Sequence, residues 1–157
     1  VNKLNKHTQI KLIDSSNLYE SDSFEFDSHK FINSVVIFDT NLTPLELLFE
    51  CKKIELELGR NKKQIRDKNY FARTIDLDIL YFGNIVIKTD ELILPHPEIH
   101  NRQFVMKPLL DVNNLLPSRQ LMKKETKCNF LKNQRVIALN EESNAFRKRF
   151  TELKHFK

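Results

Sequence analysis

Glycine is nearly absent, with two in 157 residues. That scarcity excludes a Gly-rich phosphate loop, so any bound nucleotide must be held by side chains and metal ions. Cysteine is equally scarce. Cys51 and Cys128 stand far apart with no Cys-x-x-Cys, which predicts two reduced thiols in a cytoplasmic protein. No apolar run approaches the ~20 residues that a membrane-spanning helix needs. Nor do the first residues have a signal-peptide layout. Repeats and low-complexity tracts are also lacking.

The length predicts one domain with a real core, over residues 1–157. Hydrophobic residues make up 40% and charged residues 30%, a balance that describes a globular chain rather than a disordered one. The net charge of +5 points to an anionic partner, and its distribution narrows the choice. Arg60, Lys62, Lys63, Arg66, Lys68 and Arg73 fall within fourteen residues, opposed only by Asp67. Taken alone, such a run is a solvated loop. Its place between a helix and a carboxylate-bearing strand favours a polyphosphate clamp.

Residues 10–19 and 31–39 read as strands joined by a polar, acidic loop. Thr43-Pro44-Leu45-Glu46 has the form of a helix start, with a cap, a proline at the first helical position and a glutamate to close a capping box. Leu47, Cys51, Ile54 and Leu58 recur at helical spacing as one buried stripe, and Gly59 is placed to end the helix. Residues 75–81 read as a strand. Gly83-Asn84 reads as a hairpin turn into residues 85–87. Pro95 and Pro97 exclude a helix interior there. Strands mixed with a helix on one face predict an α+β sandwich.

The chemistry concentrates in Arg73-Thr-Ile-Asp76-Leu-Asp78-Ile-Leu-Tyr-Phe-Gly83. Strand side chains alternate, so Asp76 and Asp78 share one face while Ile75, Leu77, Ile79 and Tyr81 take the other. A bare Asp-x-Asp is most often an exposed strand face. With a cationic loop before it, and His96 and Arg102 after it, the pair suits divalent cations carrying a polyphosphate. His96 and His100 also suggest zinc, but Pro97 breaks a helical pair and no third ligand is near.

This ordered set of motifs resembles the 6-hydroxymethyl-7,8-dihydropterin pyrophosphokinases of folate synthesis. The likeness includes Leu94-Pro-His96-Pro, Arg102 and Phe104-Val, and upstream Phe31-Ile-Asn33-Ser-Val-Val and Ile54-Glu55-Leu-Glu-Leu-Gly59-Arg60. It runs over about residues 10–112. The resemblance implies a ferredoxin-like α/β sandwich with an antiparallel sheet. It also implies a diphosphotransferase that uses ATP and a reduced pterin, with two Mg²⁺ ions on Asp76 and Asp78. Arg60 and Arg73 then serve catalysis, and Glu55, Lys62, Ile79, His96 and Arg102 bind ATP. Phe31 and Phe104 stack on the pterin, and Asn33 reads its polar edge. Without the resemblance both phenylalanines read as core, and Glu55 reads nearly as well as a solvent-facing helix residue.

Three features depart from the family pattern. Tyr19-Glu-Ser21-Asp-Ser-Phe24 lacks the proline and glycine usual after that tyrosine, and lysine stands at position 62 where arginine is common. The family also opens with a strand ending in Gly-Ser-Asn, whereas this chain starts near the end of the helix that follows it. Val136–Leu139 is expected either to fill that strand's place beside Asp76 and Asp78, or to form a short strand elsewhere or a linker toward a lost domain. Two other functions compete with the kinase reading. One is a basic α+β domain that binds nucleic acid, against which the paired carboxylates argue. The other is a truncated, catalytically weak homologue. No membrane partner is expected, and dihydropteroate synthase is the expected fusion or association partner.

Overall fold

The computed structural model describes residues 2–22, 30–59, 75–116 and 136–138. The chain divides into two compact units, each discontinuous in sequence. The first combines Val1–Lys11 with Thr40–His96, and the second combines Leu12–Asp39 with Pro97–Lys157. Helices and short antiparallel pairings occur together, so the α+β class read from the sequence holds. It agrees with the ferredoxin-like expectation.

In the first unit a single turn of helix, α1 (Asn2–Asn5), packs against α2 (Pro44–Glu57). The start of α2 follows its sequence signature. Thr43 is the N-cap, its hydroxyl accepts from the Glu46 amide, and the Glu46 carboxylate accepts from the Thr43 amide at 2.7 Å. Pro44 stands at the first position, where its missing N–H has no helical partner to lose. Gly59 ends the helix at φ 103°, a backbone region that a Cβ disfavours. The predicted stripe is buried at Cys51 and Ile54 but not at Leu58, which is the cap itself and turns out to solvent.

Residues 75–82 form no strand, which corrects the expectation from alternation. Among the described residues nothing pairs with them in a ladder. The alternation nevertheless survives, with Asp76 and Asp78 exposed, Ile75 and Leu77 half-buried and Ile79 buried. Period two records which way side chains point; a strand also needs a neighbour. Ile79 packs with Leu92 and Leu94, flanked by Leu47, Leu48, Phe82 and Ile87. Gly83 and Asn84 do make a turn, closed by the Ile85 amide on the Phe82 carbonyl at 3.0 Å. The hairpin, however, comes one turn later. β5 (Ile87–Lys88) pairs antiparallel with β6 (Ile93–Leu94), and Thr89 bonds Leu92 across its turn through main chain and hydroxyl.

The second unit is built largely on strands that the sequence reads as two long ones and the structure divides into four. β1 (Ile10–Ser15) pairs with β4 (Val36–Thr40), while β2 (Tyr19–Ser21) pairs antiparallel with β3 (Phe31–Asn33). Ser16 makes the break. It is fully buried, and its hydroxyl donates to the Asn17 carbonyl at 2.7 Å, accepts from the Val35 amide at 2.9 Å and lies 3.1 Å from the Ser34 hydroxyl. A side chain thus satisfies backbone groups where the ladder is interrupted.

β7 (Val136–Ala138) extends the small sheet, pairing antiparallel with β2 so that Glu20 stands opposite Ile137. It does not pair beside Asp76 and Asp78, so the expected replacement of the family's opening strand is not found. The other expectation, a short strand elsewhere, is. α3 (Gln103–Asp111) packs on β2, β3 and β7 and buries Met106, Pro108 and Leu109. The Asp111 carboxylate at its end accepts from the Asn17 amide at 2.9 Å and the Tyr19 hydroxyl at 3.0 Å. Ser16→Ala should lower the free energy of unfolding by about 1–3 kcal/mol, because it strips the part-buried Val35 amide of its acceptor. Urea denaturation checks this, with Thr8→Ala at an exposed turn position as the control. Equal midpoints for the two variants would refute it.

Candidate active site

The first unit carries the carboxylate pair. Asp76 and Asp78 are both exposed, on either side of Leu77, and the Leu77 amide donates to Glu55 Oε1 at 2.8 Å. Glu55 is 0% exposed, which corrects its reading as a solvent-facing helix residue. Lys52, one turn earlier on α2, reaches both of its carboxylate oxygens at 3.2 Å. The backbone between the two aspartates is therefore tied to the helix by a side chain. His96 joins the same segment, its amide donating to the Leu80 carbonyl at 2.9 Å. Ile79, expected near ATP, has its side chain in the core, so any nucleotide contact it makes is through its main chain.

Two exposed carboxylates on one side offer hard oxygen donors, the ligands that Mg²⁺ prefers. Among the described residues no group of three or more His, Cys, Asp or Glu side chains converges on a metal position. A cation at Asp76 and Asp78 would then complete its shell with phosphate oxygens and water. That suits an ion that arrives with a nucleotide better than a resident structural one. The donor set fits Mg²⁺.

The second unit carries the aromatic and amide candidates. Asn33 and Phe31 stand two residues apart on β3, hence on one face. Asn33 Nδ2 donates to the Ser21 hydroxyl at 2.9 Å, with the Tyr19 and Phe31 carbonyls at 3.4 Å. Two carbonyls on that side require the nitrogen there, which fixes the amide's orientation. Ser21, across the pair from Phe31, carries no signal in the sequence; only the strand register reveals it. Phe31 is exposed at 41% and Phe104, at the start of α3, is half-buried. The Arg102 guanidinium lies over the Phe104 ring, 5.8 Å from its centroid, within cation–π range. Arg102 Nε also stands 4.0 Å from Glu98. The structure thus groups Asp76, Asp78, Ile79, Glu55 and His96 in one unit and Phe31, Asn33, Arg102 and Phe104 in the other. Arg60, Lys62 and Arg73 lie outside the described residues.

The family model for 7,8-dihydro-6-hydroxymethylpterin-pyrophosphokinase (HPPK) matches residues 1–114. The chain belongs to the HPPK family. A pyrophosphokinase from Haemophilus influenzae, named for 2-amino-4-hydroxy-6-hydroxymethyldihydropteridine, is 38% identical over 114 residues, covering 71% of this chain and 69% of that protein. Folic acid synthesis protein fol1 of Pneumocystis carinii is 47% identical over 105 residues, which are 66% of this chain but 14% of that protein. A mitochondrial folate synthesis bifunctional protein of Pisum sativum is 41% identical over 111 residues, 70% of this chain and 21% of its own length. The chain therefore spans about two thirds of the bacterial HPPK relative and a small part of the two longer proteins. The match takes in residues of both compact units.

A thiol on α2 responds to the same carboxylates. Burial, with help from Glu55 and Asp78, pushes the Cys51 thiol from 9.0 up to about 11. The folded state therefore keeps this proton at pH values where the unfolded thiol has lost it. Its contribution to stability is complete below about pH 8.5 and is lost as the pH rises toward about 11. In a Cys128→Ser background, Cys51 should resist a thiol-specific reagent at about pH 8 until denaturant is added. Rapid labelling of the native protein would contradict the buried, protonated thiol.

Proposed function

We propose that this chain transfers the pyrophosphoryl group of ATP to the hydroxymethyl oxygen of 6-hydroxymethyl-7,8-dihydropterin. Family membership supports the reaction class. The observation that carries the reading is the exposed Asp76–Asp78 pair, held from behind through the amide between them. In this reaction the substrate hydroxyl forms a bond to the β-phosphorus, and the bond from that phosphorus to the oxygen shared with the α-phosphate breaks. AMP leaves, and the hydroxyl proton passes to solvent. Negative charge shifts onto the leaving phosphate, so charge stabilisation matters more than a strong base.

Asp76 and Asp78 would hold two Mg²⁺ ions, which when bound neutralise phosphoryl charge and orient the chain of phosphates. Arg60 and Arg73 offer planar forks suited to phosphate oxygens, and Lys62 a point charge. His96 and Arg102 add donors for ATP. Phe31 and Phe104 supply aromatic faces for the flat heterocycle. Asn33, with its nitrogen engaged by Ser21, presents its carbonyl oxygen to a donor edge. The reading takes residues 1–157 as a single functional domain. Fusion to or association with dihydropteroate synthase in a cytoplasmic pathway belongs to the same proposal. The bifunctional name of the pea relative supports fusion in this family.

A nucleic-acid-binding role would set two exposed carboxylates against a phosphate backbone, a repulsive arrangement without metal. The deciding experiment is AMP release that depends on both the pterin and Mg²⁺. Its absence from the full chain, with RNA retained on a filter instead, would reverse the assignment. Asp76→Ala and Asp78→Ala should each abolish AMP release while leaving the fold intact, with a cooperative melting transition retained. Near-normal turnover at saturating Mg²⁺ in either variant would remove the metal role. Asn33→Ala should weaken pterin binding by about 1–3 kcal/mol with little effect on a non-hydrolysable ATP analogue. Calorimetry separates the two ligands, and a loss confined to the nucleotide would contradict the edge-reading role.

A further inference from the structure

The family resemblance puts Glu55 near ATP, yet its carboxylate is wholly enclosed and spends one oxygen on a backbone amide. That amide belongs to Leu77, the one residue between Asp76 and Asp78. Residues 75–82 are in no strand, so no ladder among the described residues fixes this stretch. We infer that Glu55 is a positioning residue: its bond to the Leu77 amide sets the separation and direction of the Asp76 and Asp78 carboxylates. The inference rests on the metal reading of those aspartates and goes beyond it by assigning who orients them.

The physical case has three parts. An Asp-x-Asp pair outside a strand has backbone freedom at both aspartates, and a divalent ion needs their oxygens within a few tenths of an ångström of set positions. The hydrogen bond holds the peptide plane that Leu77 shares with Asp76, and with it the Leu77 Cα from which Asp78 continues. Lys52, at 3.2 Å from both oxygens, holds the carboxylate in place on the helix. What matters is then the reach of an oxygen acceptor, and its charge only secondarily.

Two conservative replacements separate reach from charge. Glu55→Gln keeps an oxygen at the same distance and removes the charge; Glu55→Asp keeps the charge and withdraws the oxygen by one methylene. The readouts are the affinity of the full chain for Mn²⁺ with a non-hydrolysable ATP analogue, by electron paramagnetic resonance, and hydrogen exchange at the Leu77 amide. Glu55→Gln should bind Mn²⁺ within about two-fold of wild type, whereas Glu55→Asp and Glu55→Ala should lose about ten-fold or more, as lost outer-shell partners do. Leu77 should exchange faster in the same two variants. The Gln and Asp pair decides if Glu55→Ala proves too unstable to handle. Retention by Glu55→Asp with loss in Glu55→Gln would mean that charge acts directly and would overturn the inference. Equal loss in both, or wild-type binding in both, would overturn it too. Asp76→Asn distinguishes the levels: if it binds Mn²⁺ like wild type, the metal reading falls and this inference with it. If it loses Mn²⁺ while Glu55→Asp does not, only the positioning role is wrong.

Discussion

A carboxylate closed off from water has to find hydrogen-bond donors inside the protein, and Glu55 finds them on two sides. Lys52 comes from its own helix and the Leu77 amide from a segment 22 residues later. Leaving such a group without its donors is destabilising, because an enclosed carboxylate keeps its desolvation cost and loses what offsets it. The helix and residues 75–78 are therefore not independent. Ile79, buried with Leu92 and Leu94, continues the attachment in apolar form. The exposed aspartates are the solvent side of a segment whose other side is held throughout.

The second unit solves a related problem with serine and aspartate. Where two strand pairs meet, backbone groups lose their ladder partners, and Ser16 supplies both a donor and an acceptor in their place. Asp111 does the same at the end of α3, taking the Asn17 amide and the Tyr19 hydroxyl together. A carboxylate accepts several bonds, so one residue anchors the bend after β1 and the start of β2 to the helix. The position of β2 decides that of Asn33, because Ser21 on β2 is what engages its amide nitrogen.

Signals confined to a few neighbouring residues are the legible ones in this sequence. The capping box at Thr43 and Glu46, the proline between them and the glycine that ends α2 each depend only on their surroundings in the chain, and each reads true. Alternation around Asp76 and Asp78 reads true for the direction of side chains and false for secondary structure, since pairing is a property of the rest of the fold. The division of the long strands at Ser16 is hidden because a short polar run, Asp14-Ser15-Ser16-Asn17, also reads as the solvent-facing part of one continuous strand. α3 is disguised by Pro108, which removes one helical bond yet lies buried at the helix's sixth position. The burial of Glu55 has no local signal at all. Glutamate on a helix is ordinarily solvated, and only the arrival of the Leu77 amide makes enclosure tolerable.

Those differences bear on how a chain with two glycines would hold the nucleotide of the proposed reaction. A glycine-rich loop presents backbone amides to phosphate, and its geometry is fixed by turns. Here the described chemistry is presented by side chains instead, on a segment outside any strand and on the first turn of α3. Side-chain presentation needs a second layer to hold it, because each added torsion lets the reacting groups drift. The enclosed Glu55 beneath Asp76 and Asp78, and Ser21 behind Asn33, are that layer in the two units. Arg102 over the Phe104 ring is a third instance, where a ring face limits the sweep of a long cationic side chain. The scarcity of glycine and the reliance on buttressed polar side chains are thus two sides of one constraint.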